Sequence, residues 1–416
     1  MTAARWIAIL GCLAVAPCLS AYSVLTHEAI VDSAWDDSIK PLLLKRFPAS
    51  TPEQLRQAHA YVYGGSIIQD MGYYPFGSKL FTDLLHYVRS GDFILNLIRE
   101  SRDLNEYAFA LGALAHYAAD NEGHSIAVNT SVPLLYPKLR AKFGDRVTYE
   151  DNPATHLKTE FSFDVLQVAQ GHYAPDSYHA FIGFEVARPL LERALQDTYG
   201  LGMADLFRNP DLAIGTYRLS VSSVIPELTK AAWQSKKDEI ARAAPGITRK
   251  KFLYNLSRAS FRKEWGRDYR GPGPGARFLA FVLRILPKVG PLKALRFRTP
   301  TPASEKLFMK SFDAALAEYK RLLAAQRTGY LNLPNDNLDT GGSVKPGTYR
   351  LADNAYAELL DKLRGHYQNL PSDLRQNILA FYGDLSAPIA TRADSKKWDR
   401  VVTEVGELKS SELAVR

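Results

Sequence analysis

Three observations predict an all-α protein, a helical bundle with a C-terminal helical extension. Apolar residues recur at helical spacing through most of the chain, alternating strand-like runs are scarce, and Leu104 to Asn121 is an Ala/Leu-rich stretch apolar on nearly every side. That stretch reads as a central buried helix. His156 to Gln170, Gly183 to Tyr199 and Asp211 to Ala243 read as further helices, the last kinked at Pro226 because proline removes an intrahelical donor. Internal repeats are not evident. With 416 residues, 46% of them hydrophobic, the chain can bury a sizeable core in two or three domains. The expected division is a leader over residues 1–21, a catalytic domain over 22–244 and a basic helical region over 245–416. Within the last, Asn332 to Tyr349 reads as an ordered loop, with final helices from Asp353 to Leu408.

The leader is read from its own pattern. Arg5 supplies a positive start, Trp6 to Leu19 an apolar run too short for an ordinary membrane span, and Ser20-Ala21 the small residues of a cleavage site. Cleavage after Ala21 would leave a secreted or periplasmic chain beginning at Tyr22. Both cysteines, Cys12 and Cys18, would leave with the leader. Any metal site must then use nitrogen and oxygen ligands only.

The net charge of +8 is uneven. Residues 249–298 hold 14 Lys/Arg against Glu264 and Asp268, so the window carries +12 and the remainder about −4. The window includes the breaker Gly271-Pro272-Gly273-Pro274-Gly275 and the apolar but interrupted Ala276 to Phe297. Three readings stay open for it: docking on an anionic lipid surface, tracking a nucleic-acid backbone, or a solvated face packed on the bundle.

Candidate chemistry lies between Tyr22 and Glu160. Within HYAADNEGH, His116, Asp120 and His124 follow at steps of four, which on a helix places them on nearly one face; Gly123 is a candidate helix end before His124. His156 and Glu160 repeat the i, i+4 arrangement. Two helices each presenting His and a carboxylate inward are how bundle cores build metal sites. His27 and His86 add imidazoles, and Asp70 adds a carboxylate in a turn-like setting. An ionised Asp120 in an otherwise apolar helix costs several kcal/mol unless a cation or strong donors compensate it, and one divalent ion would serve both it and His116. His59, His172, His179 and His366 have no such partners in the sequence and read as structural or surface residues.

The order of these motifs resembles the zinc-dependent phospholipase C family, related to the single-strand-specific zinc nucleases. The resemblance covers roughly residues 22 to 235 and implies an all-α bundle with up to three Zn²⁺ ions in its core. It implies that His86, His116 and Asp120 bind one zinc, that His124, His156 and Glu160 bind a second, and that the amine and carbonyl of Tyr22 join His27 and a bridging Asp120 on the third. Asp70 would be the acid/base carboxylate of a phosphodiester hydrolase whose metal-bound hydroxide attacks phospholipid head-group linkages. Zinc suits that task because it lowers the pKa of bound water toward neutrality. Gln69 stands where the family commonly has Pro, and Tyr22 where it usually has Trp. No head-group pocket is matched; Tyr73, Tyr74, Phe76 and Phe81 supply aromatics nearby that read as core.

The implied partner is a phospholipid or membrane surface. A single-strand nuclease or nucleotidase with the same cluster is the alternative, favoured by the short Tyr22 to His27 interval. A non-catalytic, zinc-stabilised helical protein is the third reading.

Overall fold

The computed structural model describes residues 24–172, 184–221, 225–248 and 296–411. The leader with Cys12 and Cys18, Tyr22, His179, and the basic window as far as residue 295 lie outside the described residues, as do the Gly271–Gly275 breaker and most of Ala276 to Phe297.

The described residues form helices apart from their connections and one hairpin of two-residue strands. The first part runs through α1 (Val24–Ala34), α2 (Lys40–Arg46), α3 (Pro52–Gly65), α4 (Lys79–Tyr87), α5 (Ser90–Glu100), α6 (Leu104–Glu122), α7 (Asn129–Leu135), α8 (Pro137–Phe143) and α9 (Pro153–Gln170). It continues through α10 (Arg188–Tyr199), α11 (Met203–Leu206), α12 (Pro210–Leu219) and α13 (Ile225–Ala243). The C-terminal part holds α14 (Pro302–Thr328), the hairpin β1 (Asp336–Asn337) and β2 (Gly342–Ser343), then α15 (Arg350–Lys362), α16 (Ser372–Phe381) and α17 (Ser395–Ser410).

At the centre stands α6, because its sequence leaves it no polar face. Asp103 caps it by accepting from Glu106 N at 2.9 Å, and every residue from Glu106 to Asp120 is buried. Helices α3 and α14 pack against α6, with α1 and α5 also in contact. The α3–α6 crossing is close because glycines meet backbone there: a Cβ on Gly65 would lie 2.0 Å from Phe109 O, and one on Gly112 2.1 Å from Val62 O. Gly112 sits one turn before His116, so this crossing sets the depth of the imidazole. From α14, Tyr319 donates to Leu111 O at 2.9 Å, tying the C-terminal part to the same helix.

Several sequence expectations shift. Helix α9 begins at Pro153, three residues earlier than expected, because Asn152 accepts from Thr155 N at 3.0 Å and proline is tolerated in the first turn. Helix α10 begins only at Arg188; residues 184–187 are irregular, with Pro189 opening the helix. The long helix expected over Asp211 to Ala243 is two elements, α12 and α13. Pro226 is the second residue of α13, and the non-helical backbone lies at Lys236 (φ −133°, ψ 23°). The segment expected as a loop, Asn332 to Tyr349, contains the hairpin, with Asp336 opposite Ser343 and Asn337 opposite Gly342.

Gly123 does not end the central helix. The backbone continues as a π-helical turn, Gly123–Val128, directly into α7. In an α-helix each step of four overshoots a full turn by about 40°, so His124 would rotate away from His116. The wider turn counters that drift, and such turns are common at functional sites.

Candidate metal centre

Four stretches of chain converge on α6. Helix α1 carries His27 and is held by α9, where Asp164 accepts from Leu25 N at 3.1 Å and from Thr26 Oγ1 at 2.9 Å. A carboxylate at a helix N-terminus also suits the positive end of its dipole. Asp70 lies in a 3₁₀ turn, Ile68–Tyr73, anchored by Gln69 Nε2 donating to Ala113 O and by Thr82 Oγ1 donating to Gln69 O. Helix α4 carries His86, and α9 carries His156 and Glu160. All eight of His27, Asp70, His86, His116, Asp120, His124, His156 and Glu160 are buried, none more than 3% exposed. Tyr22 lies outside the described residues.

Asp120 stands among four imidazoles. Its Oδ2 is 3.0 Å from His116 Nε2 and 3.3 Å from His86 Nε2; its Oδ1 is 3.4 Å from His27 Nε2 and 3.6 Å from His124 Nε2. His86 and His116 approach each other at 3.4 Å between Nε2 atoms, and Asp70 Oδ1 is 3.4 Å from His86 Nε2. The rings of His27 and His116 stack at 4.5 Å. On the other side, His124 Nδ1 lies 3.5 Å from His156 Nε2, and Glu160 Oε1 lies 2.6 Å from His156 Nδ1 and 3.9 Å from His124 Nδ1. Three groups could therefore hold a metal ion: His27 with His116 and Asp120, Asp70 with His86 and His116, these two sharing His116, and separately His124 with His156 and Glu160.

Two features fit these side chains to cations. First, His86 Nδ1 meets Thr82 O at 2.9 Å and His116 Nδ1 meets Ser66 O at 3.0 Å. A carbonyl only accepts, so each Nδ1 carries a hydrogen, which leaves Nε2, the nitrogen facing Asp120, as the one a cation would take. Outer hydrogen bonds of this kind orient metal-ligating histidines. Second, no oxygen of Asp70, Asp120 or Glu160 has a hydrogen-bond partner among the described residues, although all are buried. Six such oxygens in a core would be very costly without a cation.

The electrostatics agree. Burial alone would lower the His86 pKa, but Asp120 and Asp70 beside it raise it to about 10. Burial opposes and Asp120 favours the charged form of His124, which ends well above its ordinary value; His156 is likewise raised against burial by Glu160 and Asp339. Burial would raise the carboxyl of Asp120, yet His116 and His124 hold it well below the usual range. His27 goes the other way, lowered by burial and then by its neighbour His116. The metal-free centre thus concentrates charge of both signs, and a divalent ion would take the place of protons.

The remaining histidines need one correction. His59 does have a carboxylate partner: Asp32 Oδ1 lies 3.3 Å from its Nε2, and Trp35 stacks on the ring at 3.7 Å. Sequence spacing could not show this pair, because Asp32 and His59 sit on different helices. His172 meets Gln167 Oε1 at 2.5 Å, and His366 is exposed. Among the nearby aromatics, Tyr74 and Phe81 are core, but Phe76 is 39% exposed on a left-handed backbone (φ 64°). Tyr73 is half-buried and leans on His86 and Tyr149 at 6.5 and 5.8 Å between ring centroids.

One acidic residue at the centre escaped the sequence reading. Asp339, from the hairpin turn, places Oδ1 3.3 Å from His124 Nδ1 and 3.4 Å from His156 Nε2. Its surroundings in sequence, NDNLDTGG, signal only a turn, and nothing there couples it to His124 or His156.

An all-helical fold that buries carboxylates among converging imidazoles defines a metal-dependent bundle protein. Residues 26–209 match the family model described as zinc dependent phospholipase C, which supports a phospholipase C-like, zinc-dependent hydrolase domain in this part of the chain. Comparison with curated proteins finds no match, and neither does comparison with solved structures. Among the described residues no helix is long and apolar enough to cross a membrane.

Proposed function

We propose that this protein is an exported zinc-dependent phospholipase C that hydrolyses the head-group phosphodiester of phospholipids. The observation that carries the reading is Asp120, whose two oxygens face different pairs of imidazoles and are thereby suited to serve two adjacent cations. Bound in such a centre, zinc supplies electrostatic stabilisation of phosphoryl oxygens and acidifies water at the site. His86 and His116, with Asp120, make one ligand set; His27 shares Asp120 in a second, which Tyr22 would complete; His124 and His156, with Glu160 beside them, make the third. Asp70 takes the acid/base role: its carboxylate sits at the edge of the first set, 3.4 Å from His86, where it can accept a proton from an attacking water.

Purified protein is expected to release phosphorylated head groups from mixed liposomes. Asp70→Asn should lower kcat by about 10²- to 10⁴-fold, the usual reach of a general base, while the metal content stays. A zinc-loaded sample inactive across a broad lipid panel would exclude the lipase reading; faster turnover of single-stranded DNA or RNA than of lipid would transfer the centre to the nuclease alternative. Export is tested separately. N-terminal sequencing of the mature chain should read from Tyr22, and a chain still starting at Met1 would remove both the leader and the terminal ligand.

A further inference from the structure

We propose that Asp339, contributed by the C-terminal part and lying outside the family match, is the carboxylate ligand of the cation held by His124 and His156, with Glu160 serving to position His156. This deepens the function proposed above and rests on it.

The geometry is that of a ligand triangle. His124 Nδ1, His156 Nε2 and Asp339 Oδ1 are separated by 3.5, 3.4 and 3.3 Å. Tetrahedral zinc with ligands at about 2.0–2.1 Å sets its ligand atoms about 3.3–3.4 Å apart. Glu160 does not share this triangle. Its Oε1 stands 2.6 Å from the opposite nitrogen of the His156 ring, Nδ1, and 3.9 Å from His124 Nδ1. One imidazole gives one ion one nitrogen. If Nε2 faces the ion, Glu160 is at the nitrogen that carries the hydrogen, the outer carboxylate that fixes ring and tautomer. Without metal, Nε2 also meets Asn129 Oδ1 at 2.8 Å, an acceptor because Asn129 Nδ2 donates to Asp339 O, so an ion at Nε2 would take the place of the hydrogen that Asn129 now accepts.

Asp339 is built in rather than draped over. Its backbone carbonyl accepts from Asn129 Nδ2 at 2.6 Å, the preceding residue, Leu338, donates its N–H to His86 O at 3.1 Å, and Asn337 Oδ1 accepts from the Asp339 N–H at 3.0 Å. Oδ2 accepts from Tyr349 OH at 2.6 Å and from Tyr149 N at 3.0 Å. Oδ1, by contrast, has no hydrogen-bond partner among the described residues and points at the two imidazoles, in a side chain only 3% exposed. Two donors spent on one oxygen, and none on the other, is the arrangement a cation completes.

The test exploits that asymmetry. In Asp339→Asn, the amide oxygen can keep the Tyr349 and Tyr149 hydrogen bonds, so the NH₂ faces the histidines and cannot ligate. Zinc titration of the metal-free full-length protein by calorimetry, with elemental analysis, should show Asp339→Asn losing about one ion relative to wild type, or binding it about 100-fold more weakly. Glu160→Gln, which keeps an oxygen able to accept beside Nδ1, should retain that ion. Equal stoichiometry and affinity in Asp339→Asn and wild type would overturn the proposal and leave the zinc enzyme standing; so would loss of the ion in Glu160→Gln alone. Wild type that takes up no zinc would sink the proposed function itself. Should Asp339→Asn not fold, hydrogen exchange of wild type decides: zinc should slow the Leu338 and Asp339 amides at least tenfold, and exchange indifferent to zinc refutes the ligation.

Discussion

Stripping zinc with a chelator is expected to abolish the proposed phosphodiester hydrolysis and to lower the unfolding temperature by about ten degrees or more, and adding Zn²⁺ should restore both. The magnitude follows from mass action, since a site whose ligand is a thousandfold above its Kd adds about 4 kcal/mol to stability. It also follows from what is left behind: carboxylates of Asp70, Asp120, Glu160 and Asp339 inside the core, with seven oxygens that no hydrogen bond satisfies among the described residues. The metal-free protein should in addition show an inverted alkaline profile. His86, held near a pKa of about 10 by Asp120 and Asp70 against its burial, contributes stability in full below its ordinary value of 6.5 and loses it as pH rises through 10. The carboxyl of Asp120, depressed against burial by His116 and His124, contributes above its ordinary 3.8 and is lost as pH falls through its folded value. Metal-free protein is therefore expected to unfold at its highest temperature between about pH 4 and 6.5 and to weaken toward pH 10, whereas zinc-loaded protein keeps its stability there. Calorimetric scans at pH 5, 7 and 9 with and without zinc measure this. A melting temperature indifferent to chelation would mean that protons, not metal, neutralise the centre.

Asp120→Asn should be the most damaging single substitution at the centre. The side chain meets His116 and His86 through Oδ2 and His27 and His124 through Oδ1. An amide keeps the volume but presents an NH₂ to one of those pairs, which then faces a donor it cannot use. Bound zinc should fall from three ions toward one. Hydrolysis should fall by at least about 10³-fold, because both electrostatic stabilisation and water activation depend on the shared carboxylate. Elemental analysis beside initial rates on liposomes checks it. Retention of all three ions would show that Asp120 neutralises the imidazoles without ligating metal.

The spacing of His116, Asp120 and His124 was legible as one helical face, and the His156–Glu160 pair as a second, because local periodicity determines which side chains emerge together. Where helical register itself had to adjust, spacing said less: the π-helical turn at Gly123–Val128, the start of α10 at Arg188 and the irregular backbone at Lys236 depend on packing rather than on residue type. The Asp32–His59 pair was invisible for a related reason, since it joins two helices across a crossing.

By itself, then, the amino-acid sequence determined an all-helical protein and the grouping of candidate histidines and acids along single helices. Only the tertiary structure decided that the C-terminal hairpin delivers Asp339 to His124 and His156, and that the two oxygens of Asp120 face different imidazoles. Periodicity is a property of neighbours three or four residues apart. Which distant loop docks over a helix is instead settled by the packing of the intervening core, here by Tyr319 against Leu111, Leu338 against His86 and Asn129 against Asp339.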